Sequence, residues 1–252
     1  MEITGTDRTT APPASTEGRV YLRESLTASE GTWTSFTSFT SDHTRFLVML
    51  PGYLLSYALL TPFQIECVMN TMNNTCSTKT CPYCTGLHGE MLRLSEKPEG
   101  TDDGADKGID ATDPIVAYAK SFCLARGRGT EIETKELAKL TDAIGPLKAS
   151  SVNKLCWALL WGQTTGNSIN SARDKILSLS LSSVTNLDIV LLSWYGPLFV
   201  AIGIVNAILK RIPGSLPAVV STVLGVILWI PQAVFIAPVG LLSLIRHFGR
   251  VV

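Results

Sequence analysis

The sequence lacks any surplus of charge of one sign. Lysine and arginine together number 21, as do aspartate and glutamate, among 252 residues. Zero net charge offers no electrostatic attraction for a polyanion, so nucleic acid is not an expected partner. The N-terminus also has no basic segment followed by a short apolar run, and we therefore expect no secretory signal.

Strand signals and cysteines are also scarce. Few segments alternate apolar and polar residues, so the sequence predicts an all-α protein. Six cysteines are too few and too scattered for a disulfide scaffold in a chain of this length. We therefore expect the redox-competent part of the chain to lie in a reducing compartment, with selected thiols available for chemistry.

Charge is missing altogether from two long segments near the C-terminus, residues 189–209 and 212–245. A transmembrane helix needs about 20 predominantly apolar residues. The first segment is long enough for one span, and the prolines of the second allow either a hairpin or one kinked span. We predict that residues 186–252 form a membrane-associated helical segment. The alternative is a soluble cytoplasmic protein in which these helices are buried within a homo-oligomer.

The rest of the chain divides into a tail and a helical domain. Residues 1–44 are rich in Thr, Ser, Gly and Pro and lack apolar periodicity, which is typical of a poorly ordered tail. Residues 45–185 carry helical patterns that proline and glycine interrupt. The predicted helices are two short buried ones between residues 46 and 68, followed by 81–94, 114–125, 131–144 and 151 to about 181.

The residues best suited to chemistry lie at the start of the helix predicted over residues 81–94. Cys81, Cys84 and His88 are spaced i, i+3 and i+7, which places them on one helical face within roughly 60° of arc. Thr80 is the predicted N-cap, so both thiols lie in the first turn, where the helix dipole stabilises a thiolate. The Cys84 and His88 pair therefore fits a nucleophile and its base.

Three other interpretations of this motif stay open. The string Cys-Pro-Tyr-Cys also matches a glutaredoxin-type motif, although the strands that fold requires are not apparent. Cys76, Cys81, Cys84 and His88 could instead form a Cys3His zinc site, which is a legitimate tetrahedral ligand set. The third interpretation is a pair of helical cysteines near a solvated histidine with no shared role.

A glutamate on one helix, then CxxC, three residues and a histidine resembles the alkyl hydroperoxidase D / carboxymuconolactone decarboxylase-like family. The glutamate here is Glu66, and Cys81, Cys84 and His88 complete the motif. The resemblance covers about residues 46–180 and implies an alkyl hydroperoxidase D-like helical fold. Further similar positions are Asp113, Pro114, Ala117, Tyr118 and Ala119, the amphipathic segment ending at Gly145, and residues 162–170.

The resemblance implies a thiol-dependent peroxidase or disulfide oxidoreductase that needs no cofactor. Cys84 would be the peroxidatic thiol, Cys81 the resolving thiol, and His88 with Glu66 the proton relay. The implied partners are a hydroperoxide substrate and an external dithiol reductant, and the implied assembly is a homo-oligomer. The interval from Glu66 to Cys81 is a few residues longer than in the family, which puts the contact between Glu66 and His88 in question. The alternative function is a non-enzymatic membrane or complex subunit that keeps the fold, with or without the zinc site.

Overall fold

The computed structural model describes residues 50–75, 81–95, 112–125 and 129–248. Within these ranges the chain is 86% helical and contains no strand, which confirms the predicted all-α class. The nearest approach to sheet pairing there is one isolated parallel bridge between Ser95 and Leu216. The tail predicted over residues 1–44 lies outside the described residues.

Eight α-helices are described, and proline opens four of them, because the first turn of a helix does not need the missing N–H. They are α1 (residues 50–59), α2 (Pro62–Thr75), α3 (Pro82–Leu94), α4 (Pro114–Ala125), α5 (Glu131–Ile144), α6 (Pro146–Leu177), α7 (Asn186–Leu209) and α8 (Ala218–Phe248). A short 3-10 helix, Leu181–Ser183, connects α6 to α7.

Helices α4 and α5 have the bounds that the sequence predicts, and local capping explains those of α5. The Thr130 hydroxyl accepts a hydrogen bond from the Glu133 amide at 3.3 Å, as an N-cap residue should. Gly145 ends α5 with a φ of 84°, which only glycine adopts without strain. Helix α6 follows at once, so it begins at Pro146 rather than at residue 151 and ends at Leu177, a few residues before the predicted limit.

Helix α2 lies at the centre of the bundle, where it contacts α3, α4, α6 and α8. Its apolar side chains Ile65, Val68, Met69 and Met72 are at most 1% exposed. Burying a side chain of this size stabilises the fold by roughly 1.5–3 kcal/mol. The buried polar side chains of α2, such as Glu66 and Asn73, are therefore held in a dehydrated setting.

Helices α7 and α8 are each long and apolar enough to cross a membrane. The candidate spans are Asp188–Leu209, with a mean hydropathy of 1.8, and Ala218–Pro238, with 2.2. Only 28% of the first span and 17% of the second is buried, which supports membrane association. Helix α8 continues through Pro231 and Pro238, so the second apolar segment forms one continuous helix and not a hairpin.

The exposed side of α7 and α8 forms a continuous hydrophobic surface, which we term the outer apolar face. Charged groups flank it: Lys175 and Asp188 form an ion pair of 2.9 Å at the start of α7, and Lys210 and Arg211 follow its end. The inner side of α7 packs against α3 and α6. The large exposed residues of the outer apolar face are Ile189, Val190, Val200, Ile204, Ile208, Val219, Val220, Val223, Ile227, Ile230, Val234 and Leu241.

Candidate functional site

The first helical turn of α3 carries the two cysteines of the predicted site. Cys81 itself is the N-cap of α3, with φ −69° and ψ 112°. This corrects the assignment of the cap to Thr80, which lies outside the described residues. The backbone N–H groups of Tyr83 and Cys84 lie close to the Cys81 sulfur and favour its thiolate.

Cys81 and Cys84 are both free and buried. The Cys84 thiol donates a hydrogen bond to the Cys81 sulfur, and this bond lowers the pKa of Cys81 although burial opposes the shift. The same bond, reinforced by burial, raises the pKa of Cys84 well above its ordinary value. Cys81 is thus the thiol whose pKa is lowered, whereas the sequence favoured Cys84 as the activated thiol.

Cys84, rather than Cys81, faces open space. A cavity of about 40 Å³ is lined by Cys84 and His88, and not by Cys81. One water molecule needs roughly 10–15 Å³ of such volume, so the cavity is large enough for a small hydroperoxide. Its apolar wall comes mostly from α6 and α7, through Leu159, Trp161, Leu198, Phe199 and Ile202.

The structure brings Glu66 and His88 together. His88 Nδ1 lies 2.9 Å from Glu66 Oε2, and the two side chains are only 11% and 4% exposed. Helix α2 continues to Thr75 and α3 starts at Pro82. The extra residues between Glu66 and Cys81 therefore lie in the connection between the two helices, and the α2 face with Glu66 still lies against the α3 face with His88. When the Glu66 carboxylate accepts a hydrogen bond from Nδ1–H, the neutral imidazole presents Nε2 as a base.

Two glycines of α6 allow this helix to approach the dithiol closely. A Cβ atom on Gly166 would overlap the Cys81 sulfur and would lie 2.8 Å from the Phe199 ring. At Gly162, one turn earlier, it would lie 3.7 Å from the Cys84 sulfur. These two positions therefore bring α6 close to both sulfurs.

Comparisons of the chain with protein-family models, with curated proteins and with solved structures found no match. A functional assignment therefore depends on the geometry and chemistry of the dithiol and its neighbours.

One side of the cavity carries polar groups that sequence reasoning missed. Tyr53 from α1 and Gln232 from α8 line it together with Cys84 and His88. Tyr53 Oη lies 3.3 Å from Tyr57 Oη. The i, i+4 spacing of the two tyrosines was the one local signal, and nothing in the sequence joins residue 53 to residue 232.

The other described cysteines differ from the dithiol. Cys156 is fully buried, and burial raises its pKa well above the ordinary value, as expected of an inert thiol. Cys123 is buried and disulfide-bonded.

The zinc alternative gains no support from the described ranges. Within them, no three His, Cys, Asp or Glu side chains are grouped so that they could hold a metal ion. Cys76, the fourth member of the alternative ligand set, lies outside those ranges.

Proposed function

We propose that this protein is a thiol-dependent peroxidase or disulfide oxidoreductase of the alkyl hydroperoxidase D-like type, in which Cys81 and Cys84 cycle between dithiol and disulfide. The observation that carries the proposal is the 2.9 Å contact between buried Glu66 and His88 beside a dithiol whose second sulfur lines a cavity. A cysteine pair with a purely structural role needs neither a base nor a cavity.

The reaction starts when Cys84 transfers its proton to His88 Nε2, with Glu66 stabilising the imidazolium. The Cys84 thiolate attacks the terminal oxygen of ROOH, so an S–O bond forms as the O–O bond breaks. The leaving RO⁻ takes the proton from His88, which gives ROH and a Cys84 sulfenic acid. The Cys81 thiolate then attacks the Cys84 sulfur, and the hydroxide that leaves takes a proton from solvent to become water.

The net reaction converts ROOH and two thiols into ROH, water and one disulfide. An external dithiol reduces that disulfide by two successive exchanges and is itself oxidised to a disulfide. The lowered pKa of Cys81 suits the resolving step, because it favours the thiolate that attacks the sulfenic acid. The exposure of Cys84 to the cavity suits the attacking step.

We also propose that the outer apolar face contacts lipid. Its charged groups are confined to the two ends of α7, at the Lys175 and Asp188 pair and at Lys210 and Arg211. An apolar surface of this extent is unusual on a soluble monomer. Because the inner side of α7 forms part of the cavity wall, the proposed site lies one helix away from that lipid.

One stoichiometric dose of hydroperoxide, followed by mass-spectrometric mapping of the thiols, tests the proposal. We expect a disulfide between Cys81 and Cys84, while Cys156 stays reduced. Cys84→Ser should abolish turnover with dithiothreitol as reductant, and Cys81→Ser should leave a sulfenic acid on Cys84 that dimedone traps. Cys156→Ala is the matched control and should retain activity. Full turnover in both serine variants would disprove the mechanism.

A further inference from the structure

Tyr53 is a buried residue that the proposed dithiol chemistry does not use. It is 3% exposed and lines the same cavity as Cys84 and His88. Most of the remaining wall is apolar, so a molecule in the cavity meets few polar groups besides these three. A hydroxyl that lines the same cavity as an attacking sulfur is suited to bind an oxygen of the substrate.

The Tyr53 hydroxyl lies within hydrogen-bond distance of the Tyr57 hydroxyl, and either of the two can be the donor. Burial raises the pKa of Tyr53 to about 12, whereas the bonds from Tyr57 and Gln232 act in the opposite direction. Bonds that favour the phenolate are bonds that donate to the Tyr53 oxygen. When Tyr57 is the donor in their 3.3 Å bond, the Tyr53 O–H is free to donate to a molecule in the cavity. The raised pKa keeps the hydroxyl protonated at neutral pH.

We infer that the Tyr53 hydroxyl is a third catalytic group, which donates a hydrogen bond to the oxygen that leaves when Cys84 attacks the hydroperoxide. Negative charge develops on that oxygen as the O–O bond breaks, and a fixed donor in a cavity with little water stabilises the charge. Tyr53 keeps its proton throughout, and the proton of the alcohol product still comes from His88. The inference deepens the proposed function and depends on it.

Helix α8 holds Tyr53 in place from the apolar C-terminal segment. Gly225 and Gln232 are seven residues apart, so they share one face of α8. A Cβ atom on Gly225 would overlap the Tyr57 ring, which shows how closely α8 approaches α1. Gln232 Nε2 also donates to the Leu228 carbonyl at 3.3 Å, which orients the amide toward Tyr53. Gln232 is therefore a positioning residue.

Single-turnover kinetics with a series of alkyl hydroperoxides tests this role in the full-length protein. Tyr53→Phe should slow sulfenic acid formation by on the order of 100-fold, the cost of removing one preorganised donor. It should also steepen the dependence of the rate on the pKa of the leaving alcohol, because the alkoxide charge is no longer stabilised. Gln232→Leu should cause a smaller change in the same direction.

Two controls separate this role from structural damage. Tyr118→Phe alters a buried tyrosine that bonds Asn153 instead, and its rate and slope should match those of the wild type. Alkylation of Cys84 by iodoacetamide releases no alkoxide, so Tyr53→Phe should leave its rate unchanged. If Tyr53→Phe slowed peroxide reduction and alkylation equally, the inference would be overturned while the proposed function would stand. The same holds if Tyr53→Phe and Gln232→Leu both kept the wild-type dependence of the rate on the pKa of the leaving alcohol. A wild-type protein that consumes no hydroperoxide would overturn the proposed function itself.

Discussion

Apolar residues are usually buried and polar ones exposed. Two helix pairs depart from this relation, α2 with α3 and α7 with α8. Helix α2 carries a carboxylate and several amides, yet Glu66 is only 3% exposed and Asn73 is fully buried. Helix α8 has a mean hydropathy of 2.2 over its candidate span, yet only 17% of that span is buried. Burial here follows position in the bundle and not apolar character.

This difference between the two helix pairs indicates that they are adapted to two different environments. Polar groups at the bundle centre are tolerated because they have partners, as Glu66 has in His88 and Asn73 has in Gln163, whose amide lies 2.9 Å away. The apolar side chains of α7 and α8 exceed what packing against α3 and α6 requires, so the surplus needs an apolar environment outside the bundle. The proposed chemistry thus belongs to the first pair, and the enclosure of the cavity and the proposed membrane contact belong to the second.

The strongest test of this comparison removes the charge at the centre of the first pair. Glu66→Gln keeps the shape of the side chain but no longer stabilises an imidazolium at His88. We expect peroxide turnover with dithiothreitol to fall by roughly 10²–10⁴-fold, the usual contribution of a general acid–base group. Glu136→Gln on α5, which removes an exposed pair with Lys139, is the control and should have wild-type turnover. Equal activity of the two variants would show that Glu66 is only a buried structural carboxylate.

A smaller effect is expected where the dithiol meets α6. Gly166→Ala introduces a Cβ atom that overlaps the Cys81 sulfur, and overpacking of this kind lowers the free energy of unfolding by about 1–3 kcal/mol. Chemical denaturation measures the loss, and thiol mapping should show slower closure of the disulfide. Gly89→Ala on α3 meets nothing within 4 Å and is the matched control. If both variants had the same stability and the same rate of disulfide closure, the close packing of α6 on Cys81 would be wrong.

The smallest effect on turnover is expected from charges on the outer apolar face. Val223→Lys combined with Val234→Lys should leave the dithiol chemistry unchanged but shift the protein out of the membrane fraction. Each lysine near the centre of a span costs about 2.5–3.5 kcal/mol of insertion free energy. Flotation with lipid vesicles measures the shift, and the corresponding pair of leucine substitutions should still float. Flotation of the lysine variant to the wild-type extent would mean that α8 does not contact lipid.

Short-range signals were sufficient for much of the fold. Proline at the first position and glycine after the last one predicted the limits of α4 and α5, because both act through the φ angle and N–H of a single residue. Such signals did not predict the cap of α3, the early start of α6 or the continuity of α8 through Pro231. Neighbouring helices can stabilise a helix that contains proline, and this stabilisation depends on packing.

Only part of the candidate site could be predicted from the sequence. The spacing of Cys81, Cys84 and His88 singled out the α3 residues, and the family resemblance added Glu66 while leaving its reach to His88 in question. Tyr53 and Gln232 could not be found, since they lie on helices separated by most of the chain and belong to no shared motif.

The sequence by itself determined the helical class, the place of the dithiol at a helix start, and the presence of two apolar segments of membrane-spanning length. These features depend on interactions within a few residues. Only the tertiary structure decided that Cys81 is the more acidic thiol, that Cys84 faces the cavity, and that α8 reaches Tyr53. Those properties depend on desolvation and on hydrogen bonds between distant helices, which exist only once the helices have packed.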